Sequence, residues 1–266
     1  MSVDCPMARL SLMFTRHSHE ILFSCRPDCE SVNIRAMDEQ LLSENIEKLL
    51  QRVRCGAQKS QYRNSDILVV AVGKSRSAQD IRAAHACGLN HFGENYLQEA
   101  LPKIHELQDL PLIWHFIGPI QSNKTGPIAE HFDWVHSVDR DKIARRLSEQ
   151  RPPHMPALQV CLQVNIAGED SKSGTGPAEL PELARTVLKL PRLTVRGLMA
   201  IPAAAADTRQ QHTYFSQMRD LLGELRLLSP DIDTLSMGMS DDLDVAIAEG
   251  ANMVRVGTAI YGPRNR

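Results

Sequence analysis

The sequence predicts a single closed β/α barrel of the TIM type, and three observations carry that prediction. From Met37 onward, eight short strand-like segments alternate with amphipathic ones. The first strand candidate, Ile67-Leu68-Val69-Val70-Ala71-Val72, is unbroken aliphatic, which suits a strand covered on both faces of a parallel sheet. No glycine-rich dinucleotide fingerprint follows it, which disfavours the open doubly wound sheet that the same alternation permits.

The elements follow in order. Leu41, Leu42, Ile46, Leu49, Leu50 and Val53 recur at three and four, the face of a helix that Gly56 is expected to stop. After the first strand, Ser77-Ala78-Gln79-Asp80 resembles a capping box opening a helix that Gly88 ends. His91 to Gly93 is the second strand, with a helix from about Tyr96 to Leu107. Strands then follow at Ile113 to Ile117, Trp134 to Val138, Leu158 to Ile166, Val195 to Ala200, Thr234 to Met237 and Met253 to Val256. Helical segments separate them, and the helix before the first strand is expected to cover the seam.

Residues 1–36 show no period and are expected to be a disordered tail or a start placed too early, with translation from Met37 favoured. The domain is therefore expected over 37–266. The 30 Lys+Arg and 32 Asp+Glu give a net charge of −2, without the basic excess that phosphate-backbone binding needs, so nucleic acid is excluded as a partner. No apolar run approaches the roughly 18 residues of a membrane span. The six cysteines contain no CxxC pair, which points to free thiols and a cytoplasmic setting. The outer helices show no extra apolar stripe, so a monomer is expected.

In such barrels chemistry sits where the strands end. Lys74 follows the first strand. A lysine there either stands in solvent or loses water around its amine, and a neutral amine condenses with an aldehyde. Ser236 to Asp242 joins the seventh strand to a helix, and Gly257-Thr258 leaves the eighth. Each loop alone reads as a tight turn. Together, at the usual phosphate position of the fold, they favour a phosphorylated aldehyde. Arg255 sits one residue from the end of a buried strand, where a guanidinium needs a partner. An unprotonated ring nitrogen would serve, as in pyridoxal phosphate sites. An ion pair with Glu94 across the barrel is the alternative. His115 reads as a core or surface histidine, and the histidines lack metal-ligand spacing, so no metal is assigned.

Lys74 after Ala71-Val72, the run His91 to Glu99, the run Trp114 to Lys124, Gly197-Leu198-Met199, Leu235 to Asp242 and Arg255-Val256-Gly257-Thr258 together resemble the pyridoxal phosphate homeostasis protein family. Bacterial members are called YggS, and the human one proline synthase co-transcribed homologue. The resemblance runs from about Met37 to Gly262. It implies a barrel like the N-terminal domain of alanine racemase and an internal imine between Lys74 and pyridoxal 5′-phosphate (PLP). It further implies phosphate contacts from Ser240, Gly257 and Thr258, ring-nitrogen contact from Arg255, and a cofactor lining that includes Asn95 and His115. The implied role is balance of PLP and amino-acid pools without turnover, with PLP-dependent apo-enzymes as receivers.

Two positions depart from the family pattern. Gly73 replaces a common Ser and is expected to loosen the backbone beside Lys74, and Ser77 replaces a common Pro. An amino-acid racemase is the alternative function. It would need a second base from a further domain, and the chain runs only about ten residues past the eighth strand. An arginine at the ring nitrogen also weakens the electron sink. A Schiff-base aldolase on a sugar phosphate is the second alternative, with no clear acid–base residue to serve it.

Overall fold

The structure, a computed structural model, describes residues 39–62, 66–169, 173–202 and 207–263. These belong to one unit of the chain, Ala36–Arg266. The expectations for residues 1–36 lie outside the described residues.

Eight parallel strands close into a ring in chain order. They are β1 (Leu68–Val72), β2 (His91–Glu94), β3 (Ile113–Phe116), β4 (Trp134–Val138), β5 (Leu158–Gln163), β6 (Leu193–Met199), β7 (Thr234–Ser236) and β8 (Met253–Val256). Around them run α1 (Glu39–Lys59), α2 (Ala78–Ala86), α3 (Leu97–Glu106), α4 (Thr125–His131), α5 (Asp141–Gln150), α6 (Leu180–Val187), α7 (Thr208–Arg226), α8 (Leu243–Ala248) and α9 (Thr258–Tyr261). A 3-10 turn, Ser122–Lys124, leads into α4.

The ring closes where β1 meets β8, with Val70 opposite Arg255 and Ala71 opposite Val256. Val69, Val70 and Ala71 are buried, as the aliphatic run predicts. α1 buries Leu42, Ile46, Leu49 and Val53. It packs on α2, α8 and α9 and so covers the seam, as expected. Asn45 donates to the carbonyl of Ile260 in α9 at 3.2 Å. Gly56 does not stop α1, which continues to Lys59. The glycine is a packing position: a β-carbon there would stand 3.1 Å from Ile247 Cγ2 of α8.

The capping box at α2 is present. Ser77 Oγ accepts from the Asp80 N–H at 3.1 Å, and the Asp80 carboxylate accepts from the Ser77 N–H at 2.9 Å. Gly88 takes φ 94°, the left-handed conformation that ends a helix cheaply only at glycine. Most of the wall between strands and helices is apolar. The polar exceptions among buried residues include Glu94, Lys103, His115, His136, Ser236 and Arg255.

Candidate functional site

The end of β1 is fixed from two sides. The Gly73 N–H donates to the Gly93 carbonyl at 2.9 Å, which extends the ladder to β2. The Gly73 carbonyl accepts from Lys103 Nζ at 2.8 Å. Lys103 reaches it from α3 and also binds Glu94 Oε1 at 2.8 Å. Gly73 therefore does not loosen this backbone. A β-carbon at that position would lie 2.6 Å from Glu94 Oε1, so the glycine makes room for the pair. Glu94 is fully buried, and its Oε2 has no hydrogen-bond partner among the described residues. Burial pushes the Glu94 carboxyl up, and Lys103 opposes that. The alternative in which Arg255 pairs with Glu94 is thereby overturned, since Glu94 belongs to Lys103.

Beyond Gly73 the chain turns sharply. Ser75 has φ 59°, a conformation non-glycine residues rarely take, and its N–H donates to Glu99 Oε2 at 3.0 Å. This turn lifts Lys74 into the barrel mouth. Lys74 is partly exposed, so the expected stripping of water is incomplete. Its Nζ donates to Tyr96 Oη at 3.2 Å and stands 4.6 Å from the centre of that ring.

The loop after β7 is shaped by Gly238 at φ 94°, where a β-carbon would press on Ala246 Cβ at 2.6 Å. The Gly238 carbonyl accepts from the Arg255 N–H at 3.0 Å. Asp242 accepts from the Met239 N–H at 2.5 Å. The Asp242 carboxyl is pushed up by burial, against the pull of that bond and of Arg255. Ser240 Oγ accepts from the Ala259 N–H at 3.2 Å, which ties this loop to the start of α9. Arg52 of α1 holds the Ser240 carbonyl at 3.1 Å and Asp244 at 2.9 Å.

Arg255 is 3 % exposed and uses its guanidinium on neutral acceptors. Nη1 donates to the Ser236 carbonyl at 2.7 Å and to Ser236 Oγ at 2.8 Å, and Nη2 to the Ala200 carbonyl at 3.0 Å. Burial pushes its pKa down to about 10, partly offset by Asp242.

These pieces converge. A cavity of about 180 Å³ is lined by Lys74, Ser240, Arg255, Gly257 and Thr258, five of the residues the sequence singles out. Arg76 and Asp241 also line it. Three cationic side chains thus face one carboxylate, and hydroxyls stand at both phosphate-position loops. That donor set fits a small phosphorylated aldehyde with a basic ring nitrogen.

Two other sequence candidates lie elsewhere. Asn95 lines a neighbouring cavity of about 370 Å³ with Tyr96, Pro119 and Lys124. His115 does not reach the first cavity. It is fully buried in mid-strand, with its ring nitrogens 2.9 Å from His91 and 2.9 Å from His136. Sequence reasoning missed Tyr96, Arg76 and Lys103. Arg76 was findable, two residues after Lys74 on the same turn. Tyr96 and Lys103 carry no such signal, since a helix-start tyrosine and a helical lysine read as surface residues. Among the described residues no group of three or more His, Cys, Asp or Glu surrounds a point where a metal ion could sit.

The chain is similar to proteins of one family along most of its length. The family model for the alanine racemase N-terminal domain matches residues 40–265. The pyridoxal phosphate homeostasis protein of Pseudomonas aeruginosa is 59% identical over 224 residues, covering 84% of this chain and 96% of the relative. That of Escherichia coli K12 is 47% identical over 227 residues, covering 84% and 97%. Among solved structures, PipY of Synechococcus elongatus PCC7942 with PLP bound superposes with a TM-score of 0.70 at 37% identity, covering 83% of this chain and all of that one.

Proposed function

The chain belongs to the pyridoxal phosphate homeostasis proteins, a family built on the alanine racemase N-terminal domain, and we propose from this that it binds PLP at Lys74 and serves the cell's balance of that cofactor. The observation that carries the reading is the single cavity shared by Lys74, Ser240, Arg255, Gly257 and Thr258. Bound there, PLP supplies an aldehyde carbon that a primary amine can attack. The rest is the work of this chain's side chains. Lys74 provides the amine, and Tyr96 Oη, within hydrogen-bond reach, orients it. Ser240, Thr258 and the backbone at Gly257 receive the phosphate, helped by Arg76. Arg255, held by Ser236 and Ala200, keeps a fixed cation against the ring nitrogen and so keeps that nitrogen unprotonated. A ring in that state is a poor electron sink, which favours holding the cofactor over turning over amino acids. Asn95 lines the second cavity, whose Tyr96 reaches Lys74.

We place the protein in the cytoplasm, as a monomer that hands PLP to apo-enzymes. The free thiols of Cys55, Cys87 and Cys161 support a reducing compartment. Among the described residues no helix is long and apolar enough to cross a membrane.

The test is reductive trapping. Borohydride treatment of the PLP-saturated protein, followed by peptide mass spectrometry, is expected to find the label on Lys74. Lys74→Ala is expected to abolish the visible absorbance band. A label on another lysine, with Lys74 bare at saturation, would refute the reading. Arg255→Ala is expected to shift the band of the bound cofactor while the fold persists in far-UV circular dichroism. An unchanged band would remove Arg255 from the ring nitrogen.

A further inference from the structure

A buried polar line runs through the strand ring, and holding PLP does not by itself require it. It starts at His91, the first residue of β2, which is partly covered. His91 Nδ1 lies 2.9 Å from His115 Nε2. His115 Nδ1 lies 2.9 Å from His136 Nε2. His136 Nδ1 lies 2.9 Å from Ser236 Oγ, the atom to which Arg255 also donates. β4 and β7 are not neighbours in the ring, so His136 and Ser236 can meet only inside it. Trp134 stacks on His115 with ring centres 5.5 Å apart, and Arg196 covers Trp134 at 5.4 Å.

Barrel interiors are usually filled by branched apolar side chains. Three imidazoles there are tolerated only if their nitrogens are satisfied. The contacts also give the line a direction. A guanidinium only donates, so Ser236 Oγ accepts from Arg255 and has its own proton left to give. The facing acceptor is His136 Nδ1. His136 then carries its proton on Nε2 and donates to His115 Nδ1. His115 in turn donates from Nε2 to His91 Nδ1. This donor order assigns the Nε2–H tautomer to all three rings.

We propose that His91, His115, His136 and Ser236 are positioning residues for Arg255, forming a directed hydrogen-bond line that communicates the protonation state of His91 to the ring-nitrogen end of the cofactor cavity. The proposal rests on the assignment of Arg255 to the PLP ring nitrogen. When His91 takes up a second proton, both its nitrogens become donors and the Nε2–H of His115 loses its acceptor. The line is satisfied again only if His115 and His136 each move their proton from Nε2 to Nδ1. The system then holds one proton more than before, on His91. Ser236 Oγ now receives two donors, His136 and Arg255, and its own proton loses its acceptor. The contact that orients Arg255 is thereby altered.

The groups facing this line set its working range. Burial lowers His91, against Asp133 from the segment before β4. Burial also holds His115 well below the ordinary imidazole range, as do His136 and His91. His136 is lowered by burial and by Arg255. Asp242 and Cys161 face Arg255 from the β7–α8 turn and from β5.

The experiment has two arms. In the protein without PLP, nitrogen–proton correlation spectra of the histidine side chains are expected to show Nε2–H rings at His115 and His136, which change tautomer as His91 titrates. In the PLP-loaded protein, the visible band is followed against pH in wild type, His91→Asn and His91→Phe. The wild-type band is expected to shift with the midpoint of His91. His91→Asn keeps an acceptor for His115 but cannot titrate, so it is expected to keep the neutral-pH band and lose the shift. His91→Phe removes the acceptor and is expected to displace the band at neutral pH. Nδ1–H rings at His115 and His136 in the resting protein, or an undiminished pH response in His91→Asn, would overturn the proposal. Wild type that takes up no PLP would instead refute the binding reading, and the first arm would still decide whether the line exists.

Discussion

On the outer side of the strand ring, Lys103 and Glu94 form a buried charged pair behind Gly73. On the inner side, three histidines and Ser236 form a line behind Arg255. Both systems support the same cavity, one through the backbone that carries Lys74 and the other through a side chain. Their difference lies in what holds them. The outer pair is two charges taken out of water, with one carboxylate oxygen left unpartnered. The inner line is built of neutral rings, each satisfied by the next. Charge gives the outer pair strength and makes it costly to break. Neutrality gives the inner line little strength and a direction that one proton can change.

The contrast is broken most severely at Lys103. Lys103→Met leaves Glu94 buried without its cation, and removing one partner of such a pair costs about 3–5 kcal/mol. Urea unfolding measures that loss, and a loss under about 1 kcal/mol would mean the pair is not the anchor described here. The variant also has a pH signature. Burial raises the Glu94 carboxyl in the folded protein above its unfolded value. Such a group stabilises fully below the unfolded value, and that contribution is lost as pH rises through the folded one. Lys103→Met, with the opposing cation gone, is therefore expected to lose stability from mildly acid pH toward neutral.

The inner line has the opposite sign. His115 and His136 are lowered in the folded state, so their contribution is present above the ordinary histidine value of 6.5 and is lost as pH falls through the folded values. Each ring that stays neutral while its unfolded counterpart is charged makes stability fall by on the order of 1 kcal/mol per pH unit. Stepped-pH denaturant titrations below the histidine range are expected to show this slope in wild type. A flat profile there would show that the rings are not held neutral.

The smallest effect sharpens the comparison by touching neither system. Ser77→Ala removes the cap of α2, worth about 1 kcal/mol. Calorimetry is expected to show a modest loss in melting temperature, with reductive labelling of Lys74 unchanged. Altered labelling would mean that the Lys74 turn depends on the helix cap as well as on Lys103.

Much of this molecule can be read from the order of its residues. The barrel was legible because β1 is aliphatic throughout and because the strand-like segments count to eight. Lys74, Ser240, Gly257 and Thr258 were legible as candidates because each lies within four residues of a strand's end, and the fold gives strand ends a meaning. Arg255 was legible because a guanidinium in an apolar run demands a partner, although Glu94 was an available partner until its bond to Lys103 was seen. The histidine line was not legible. Its members come from four strands besides that of Arg255, and each alone is an ordinary core or surface residue. Gly56 misled for a related reason. A glycine near a helix end signals a stop, whereas here it serves close contact with Ile247 in a segment nearly two hundred positions away in sequence.

The grip of Arg52 has a consequence for how the protein is made. Arg52 and Asp244 lie 192 positions apart, and Arg52 also holds the Ser240 carbonyl. During synthesis α1 emerges before the eight strands, yet α8 and α9, on which it packs besides α2, emerge only after β7 and β8 respectively. Contacts of such long sequence separation form late and slowly. The part of the apolar face of α1 that meets α8 and α9 therefore stays uncovered until they form, and the cavity that Gly257 and Thr258 help to line is complete only then.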